Sequence, residues 1–270
     1  MRKICIINQK GGVGKTTTAI NIAAGLAIQG KKVLLIDMDP QGHVAKFFPI
    51  REYKKDTYEF LTNGAEVPEC AINVGTNLDI ITSSPNMRGA EFALMQREEP
   101  TLLLSKKLSN VPNYDYIIID SPPSTGIVVQ NALQFVNEIF IPVATEPLAV
   151  DGLEKMIKTV EDFQEHSGHK IKVTKIIPTM LDRRNKICKQ VLNELQNSYY
   201  ELLSQPIRVN SKLKEAPRHK KSIFTYAPRS AGAKDYEALV SNIIADEQQV
   251  AAQEKSGVSE FKEKADAHAM

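Results

Sequence analysis

The run Lys10-Gly11-Gly12-Val13-Gly14-Lys15-Thr16-Thr17 places two lysines, three glycines and two threonines in eight consecutive positions. Glycines let backbone N–H groups close around phosphate oxygens, and a following helix N-terminus adds partial positive charge. At this spacing Lys15 bridges a β- and a γ-phosphate and the Thr16 hydroxyl ligates Mg²⁺. The ordinary phosphate loop, G-x-x-x-x-G-K-[ST], puts glycine where this chain has Gln9, and Lys10 adds a second cation. The run is therefore a deviant phosphate loop. A glycine-rich turn that only joins a strand to a helix is the competing reading, and the strand, helix and lysine context disfavour it.

Two acidic groups follow apolar runs. Asp37-Met38-Asp39-Pro40-Gln41-Gly42 closes the run Val33 to Ile36, and Asp120-Ser121-Pro122-Pro123 closes Tyr116 to Ile119. An aspartate at the ligand edge of an open sheet holds Mg²⁺ directly or through water while the metal screens phosphate charge. Taken alone, Asp120 is equally well explained as a turn-forming residue. The phosphate loop upstream turns the reading toward a metal.

Elements must bring these groups together. Ile4 to Ile7, Val33 to Ile36, Leu78 to Ile81, Tyr116 to Ile119, Ile139 to Val143 and Val173 to Ile177 are short apolar runs with little polar alternation, as in strands buried on both faces of a parallel sheet. Thr16 to Gln29, Thr125 to Val136, Leu153 to His166 and Asn185 to Ser198 carry helical spacing between them. The alternation predicts right-handed crossovers and a layered α/β domain. Residues 44–76 break the rhythm and predict one or two short helices in a peripheral excursion. After Asp246 the chain turns to Ala, Glu, Gln, Lys and Ser with few large apolar residues, which predicts a frayed helix or disordered tail.

Composition narrows the class. The 270 residues are 42% hydrophobic and 24% charged, with a formal charge of +2, so any nucleic-acid role rests on local clustering. Cys5, Cys70 and Cys188 lack metal or disulfide spacing, and no apolar run approaches a membrane span. A soluble cytoplasmic protein is expected.

Five segments carry a resemblance: KGGVGKTT at 10–17, DMDPQG at 37–42, IIIDSPPS at 117–124, PTMLDRR at 178–184 and IRVNSKLKEAP at 207–217. Together they resemble the ParA/Soj partition ATPases, a branch of the deviant Walker A ATPases that also includes MinD and nitrogenase iron protein. The resemblance runs from residue 2 to about 245. It implies a three-layer P-loop NTPase fold, with a mostly parallel central sheet flanked by helices, forming one ATPase domain over 1–245 with an acidic tail over 246–270. ATP and Mg²⁺ are the implied cofactors, with slow intrinsic hydrolysis to ADP and phosphate. Residues 10–17 hold the phosphates, and Thr16, Asp37 and Asp120 serve the metal, Asp37 in its outer shell. Lys10, Lys15 and Asp39 are the implied catalytic groups. Two subunits sandwich two ATP molecules, Lys10 reaches the partner's nucleotide, and Asp39 positions the attacking water. Arg208 to Asn210 matches the stretch that lines adenine, with Asn210 at the base edge and Arg208 stacking, although the common family form has proline at the position of Arg208.

Residues 182–221 carry ten Lys or Arg against four acids, whereas 246–270 hold six acids and three lysines. Scattered cations with little aromatic character suit phosphate contacts, hence sequence-independent and salt-sensitive binding, although charge-rich helices are commonly only solvated faces. The resemblance assigns Arg184 and Lys212 to nonspecific double-stranded DNA, and Arg218, Lys220 and Lys221 extend the patch. It implies a nucleoid-associated homodimer with no membrane role, triggered by a ParB-like activator. A MinD-like membrane-positioning ATPase is the alternative, and the acidic tail matches its basic amphipathic anchor poorly. An iron–sulfur ATPase is disfavoured because no paired thiolates follow Asp120. A related protein that positions another cargo shares every residue-level expectation. The first strand begins at about Ile4 with no helix-turn-helix ahead of it, so operator binding is not expected.

Overall fold

The computed structural model describes residues 1–248 except 51, 53, 54 and 112. The tail expected over 246–270 therefore lies, beyond residue 248, outside the described residues.

β1 (Arg2–Ile6) leads into α1 (Lys15–Ile28), and β2 (Val33–Asp37) follows. The peripheral segment comes next, with α2 (Thr57–Thr62), α3 (Val67–Cys70) and β3 (Ile72–Gly75), before β4 (Leu78–Ile81). Two six-residue helices, α4 (Ala90–Met95) and α5 (Leu103–Leu108), precede β5 (Tyr116–Asp120). Then α6 (Ile127–Phe135), β6 (Glu138–Ala144), α7 (Ala149–Ser167), β7 (Lys172–Thr179) and α8 (Lys186–Tyr199) alternate. Two short helices, α9 (Ser211–Glu215) and α10 (Ile223–Tyr226), lead to a further helix, α11, described over residues 231–248.

Among the described residues seven strands form one sheet in the order β3-β4-β2-β5-β1-β6-β7, parallel throughout except for the β3–β4 pair. β2 and β5 are buried at every position, which is why their β-branched residues run without polar alternation. Alternate residues feed opposite cores. Cys5, Leu34, Ile36, Ile117 and Ile119 join the helices α4 to α7 on one face. Ile4, Ile6, Leu35 and Ile118 pack against α1 and α11 on the other. This is the expected three-layer α/β fold.

All six expected strands are present, within a residue or two of their predicted bounds. The seventh, β3, lies inside the peripheral segment beside its two short helices. Its residues alternate between half-buried and exposed, and its register shifts between Asn73 and Gly75, so it lacks the apolar run that marks the others. α4 and α5 were not foreseen, since six residues span less than two turns and leave little periodicity.

Candidate functional site

The phosphate loop connects the end of β1 to the start of α1. Gly12 and Gly14 have φ of 78° and 92°, the left-handed region where a side chain is strained, whereas Gln9 needs no such conformation. That is why the loop tolerates glutamine at the position where the ordinary pattern has glycine. The Gln9 side chain instead donates to Thr159 Oγ1 on α7 at 3.2 Å. Gly14 is the N-cap of α1 and supplies no side-chain cap, leaving the helix N-terminus open toward an anion. The Thr179 hydroxyl donates to the Val13 carbonyl at 2.8 Å, tying the loop to the end of β7.

The two lysines of the loop have different environments. Lys15 is buried, donates to the Lys10 carbonyl at 3.2 Å, and has its pKa lowered by burial against the opposing pull of Asp120 and Asp39. Lys10 is exposed at the rim, where its ammonium pairs with Glu146 at 2.8 Å.

Parallel pairing sets Asp37 of β2 directly opposite Asp120 of β5, and Ile6, at the end of β1, opposite the same aspartate. Both carboxylates thus emerge at the sheet edge beside the phosphate loop. Asp37 is fully buried and accepts from the Asp39 N–H at 3.0 Å and the Val44 N–H at 3.1 Å. Burial, reinforced by Asp120, raises its pKa. Asp120 is fully buried as well, and among the described residues neither of its carboxylate oxygens has a hydrogen-bond partner. Burial pushes its pKa up to about 7, with Asp39 adding to the shift and Thr16 and Lys15 opposing it. A buried, unpartnered carboxylate costs stability unless a cation or donor meets it. Among the described residues no group of three or more His, Cys, Asp or Glu side chains forms a cage for a metal. The arrangement does fit Mg²⁺ carried in on a nucleotide, which keeps several waters and needs only a hydroxyl and nearby carboxylates.

Asp39 stands half-buried one turn beyond, its Oδ1 accepting from the Gln41 N–H at 2.8 Å. Gly42 closes this loop with φ 59°, and a Cβ there would lie 2.6 Å from the Ser83 carbonyl oxygen. Only glycine fits that turn.

On the other side of α1, a cavity of about 510 Å³ opens between Gly14, Thr16 and Thr17 and the segment Ile207 to Asn210, with Phe47 and Tyr236 among its walls. The segment is zipped along the chain after β7: the Ile207 N–H donates to Pro178 O, the Leu181 N–H to Ile207 O and the Val209 N–H to Leu181 O. Asn210 lines the cavity and caps α9, its Oδ1 accepting from the Lys212 N–H at 2.8 Å. Arg208 lines it too, with its guanidinium on Asp235 (Nη2 to Oδ1, 2.6 Å) and its own N–H on Asp235 Oδ2 at 2.9 Å. A proline at this position would have no N–H for Asp235.

The loop has the geometry of a phosphate cradle, and a cavity large enough for a base adjoins it. A family model described as an AAA domain matches residues 1–173. The sporulation initiation inhibitor protein Soj of Bacillus subtilis (strain 168) is 39% identical over 248 residues, which cover 90% of this chain and 98% of that one. The chromosome-partitioning ATPase Soj of Treponema pallidum (strain Nichols) is 36% identical over 247 residues, covering 90% and 97%. The chain belongs to the Soj/ParA family of partition ATPases. A solved structure of cobyrinic acid a,c-diamide synthase from Mycobacterium smegmatis, with bound ATP analog and magnesium, matches with a TM-score of 0.77 at 28% identity, covering 90% of this chain and 94% of that one.

This Soj/ParA protein is therefore an ATPase on a P-loop fold. Its expected DNA-contacting residues are all exposed. Arg184 follows β7 and pairs with Asp182, while Lys212 on α9 pairs with Glu215 at 2.8 Å. Arg218 lies in the 3-10 turn after α9, and Lys220 and Lys221 follow it. The MinD-like alternative turned on the C-terminal tail, which lies outside the described residues. No helix among the described residues is long and apolar enough to cross a membrane.

Four side chains at the site escaped the sequence reading: Thr179 on the loop, Glu146 on Lys10, Asp235 on Arg208, and Tyr236, whose hydroxyl meets Thr18 Oγ1 at 3.1 Å. Thr179 stands inside the segment PTMLDRR that helped carry the resemblance. The other three had no signal in the linear chain.

Proposed function

We propose that this ATPase works as a nucleotide-gated dimer on DNA. One subunit holds ATP on residues 10–17, with Lys15 on the phosphates, Thr16 and Asp120 toward Mg²⁺, Asp37 outside them, and the base between Arg208 and Asn210. Mg²⁺ bound there neutralises phosphate charge. Asp39, half-buried at the same edge, orients the attacking water, which requires positioning rather than strong basicity. Turnover is well below the enzyme median of ~10 s⁻¹ until a ParB-like partner binds. In the dimer, the faces carrying Arg184, Lys212, Arg218, Lys220 and Lys221 act together on double-stranded DNA of any sequence, so ATP controls residence on the nucleoid in the cytoplasm. Hydrolysis releases the subunits and moves a chromosome, plasmid or other cargo.

The observation that supports this most is the contrast within one loop. Lys15 is buried at the phosphate cradle, while Lys10, five positions earlier, points out at the rim, where a second subunit can receive its charge. A cation supplied across an interface makes association depend on nucleotide. Sedimentation velocity with ATPγS and Mg²⁺ tests it: wild type is expected to dimerise and Lys10→Ala to bind nucleotide yet stay monomeric. Equal dimerisation by the variant would overturn the reading.

A further inference from the structure

Residue 10 is tied at three points in this subunit. Its N–H donates to Asn8 Oδ1 at 2.9 Å, its carbonyl accepts from Lys15 Nζ at 3.2 Å, and its ammonium meets Glu146 Oε1 at 2.8 Å. Glu146 sits in the turn between β6 and α7, and that turn is well defined. The Glu146 N–H donates to Ala144 O at 2.8 Å, and the Glu146 carbonyl accepts from the Ala149 N–H at 3.2 Å. Leu148, 75% exposed, is held at φ 63°, a conformation costly for leucine and one that persists only where the surroundings over-determine it. The turn thus presents the carboxylate to the loop.

We propose that Glu146 is a positioning residue that parks Lys10 on its own subunit until nucleotide fills the phosphate loop. The proposal rests on the reading of Lys10 as the cation lent to a second subunit. A phosphate oxygen forms a stronger, charge-assisted bond with Lys15 than the Lys10 carbonyl does. Nucleotide binding therefore draws Lys15 off residue 10 and loosens one of its three ties, while the partner's phosphates compete with Glu146 for the ammonium. The lysine and glutamate side chains are 48% and 47% exposed, so each pair is weak enough to open and is worth about two- to fivefold, and the two pairs of a symmetric dimer together about four- to 25-fold in the dimerisation constant.

Sedimentation velocity of the full chain with ATPγS and Mg²⁺, at low salt and at about 0.5 M salt, separates the possibilities for wild type, Glu146→Gln and Lys10→Ala. At low salt Glu146→Gln is expected to dimerise at about four- to 25-fold lower protein concentration than wild type, two pairs being lost per dimer. The gap is expected to close at high salt, where an exposed pair is screened, a response that a general structural effect of the substitution would not show. Equal or weaker dimerisation of Glu146→Gln at low salt overturns the proposal, as does a gap that persists at high salt. If Lys10→Ala dimerises like wild type, it is the reading of Lys10 that fails, whatever Glu146 does.

Discussion

The phosphate edge and the basic face of this protein carry comparable chemical cargo under opposite physical conditions. At the edge, Asp37 and Asp120 are fully buried, and Asp120 has no hydrogen-bond partner among the described residues. On the basic face, Arg184 and Lys212 are exposed and each is already paired to a near neighbour in the chain, Asp182 and Glu215. Burying a carboxylate like that of Asp120 costs free energy that Thr16 and Lys15 only partly return, and a bound cation would relieve it. An exposed lysine costs almost nothing and is compatible with function or with plain solvation. The same number of charges is thus far more informative when buried.

Three experiments would break or sharpen this contrast. The largest effect is expected at the edge: Asp39→Ala should lower ATP turnover about 100-fold or more while ATPγS-dependent dimerisation survives, because the role proposed for the residue is on water rather than on binding. Turnover equal to wild type would reject its role. Next comes the basic face. Arg184→Glu with Lys212→Glu should weaken ATP-dependent binding to random-sequence DNA by about tenfold or more and flatten its salt dependence by about two phosphate contacts. Unchanged binding at two salt concentrations would reduce that face to a solvated surface.

The smallest effect concerns stability. Asp120 has a folded pKa near 7, above its ordinary 3.8, so the fold favours its protonated form. Its contribution to stability is present below about pH 4 and is lost as pH rises through about 7. Asp120→Asn should therefore melt a few degrees above wild type at pH 8 without nucleotide or Mg²⁺, by roughly 1–3 kcal/mol, and lose that advantage at low pH. With ATPγS and Mg²⁺ present, wild type should recover the difference. A variant that melts lower than wild type at pH 8 would mean the carboxylate is satisfied in the apo protein.

Much of the site was legible from the chain because its parts are contiguous. Lys10 to Thr17 need fixed residue types at fixed spacing, and Asp37 and Asp120 each directly end a run of apolar residues. The strands β2 and β5 were legible for the same reason that they are central: burial on both faces removes polar residues from them. β3 is an edge strand with Asn73 and a register shift, so that rule does not reach it. Thr179 meets Val13 across 166 positions and Tyr236 meets Thr18 across 218. No local pattern encodes contacts of that range.

From the amino-acid order alone came the phosphate loop, its departure at Gln9, the two aspartate-bearing strand ends and the layered α/β class, because each is a short-range demand of backbone geometry or of burial. Folding then decided that Asp37 and Asp120 stand in register, that Arg208 is held by Asp235, and that Lys10 rests on Glu146. Those facts depend on strand order and on which loops meet at one edge of the sheet. Such meetings are won by packing the two faces of the sheet as a whole, and no single segment specifies them.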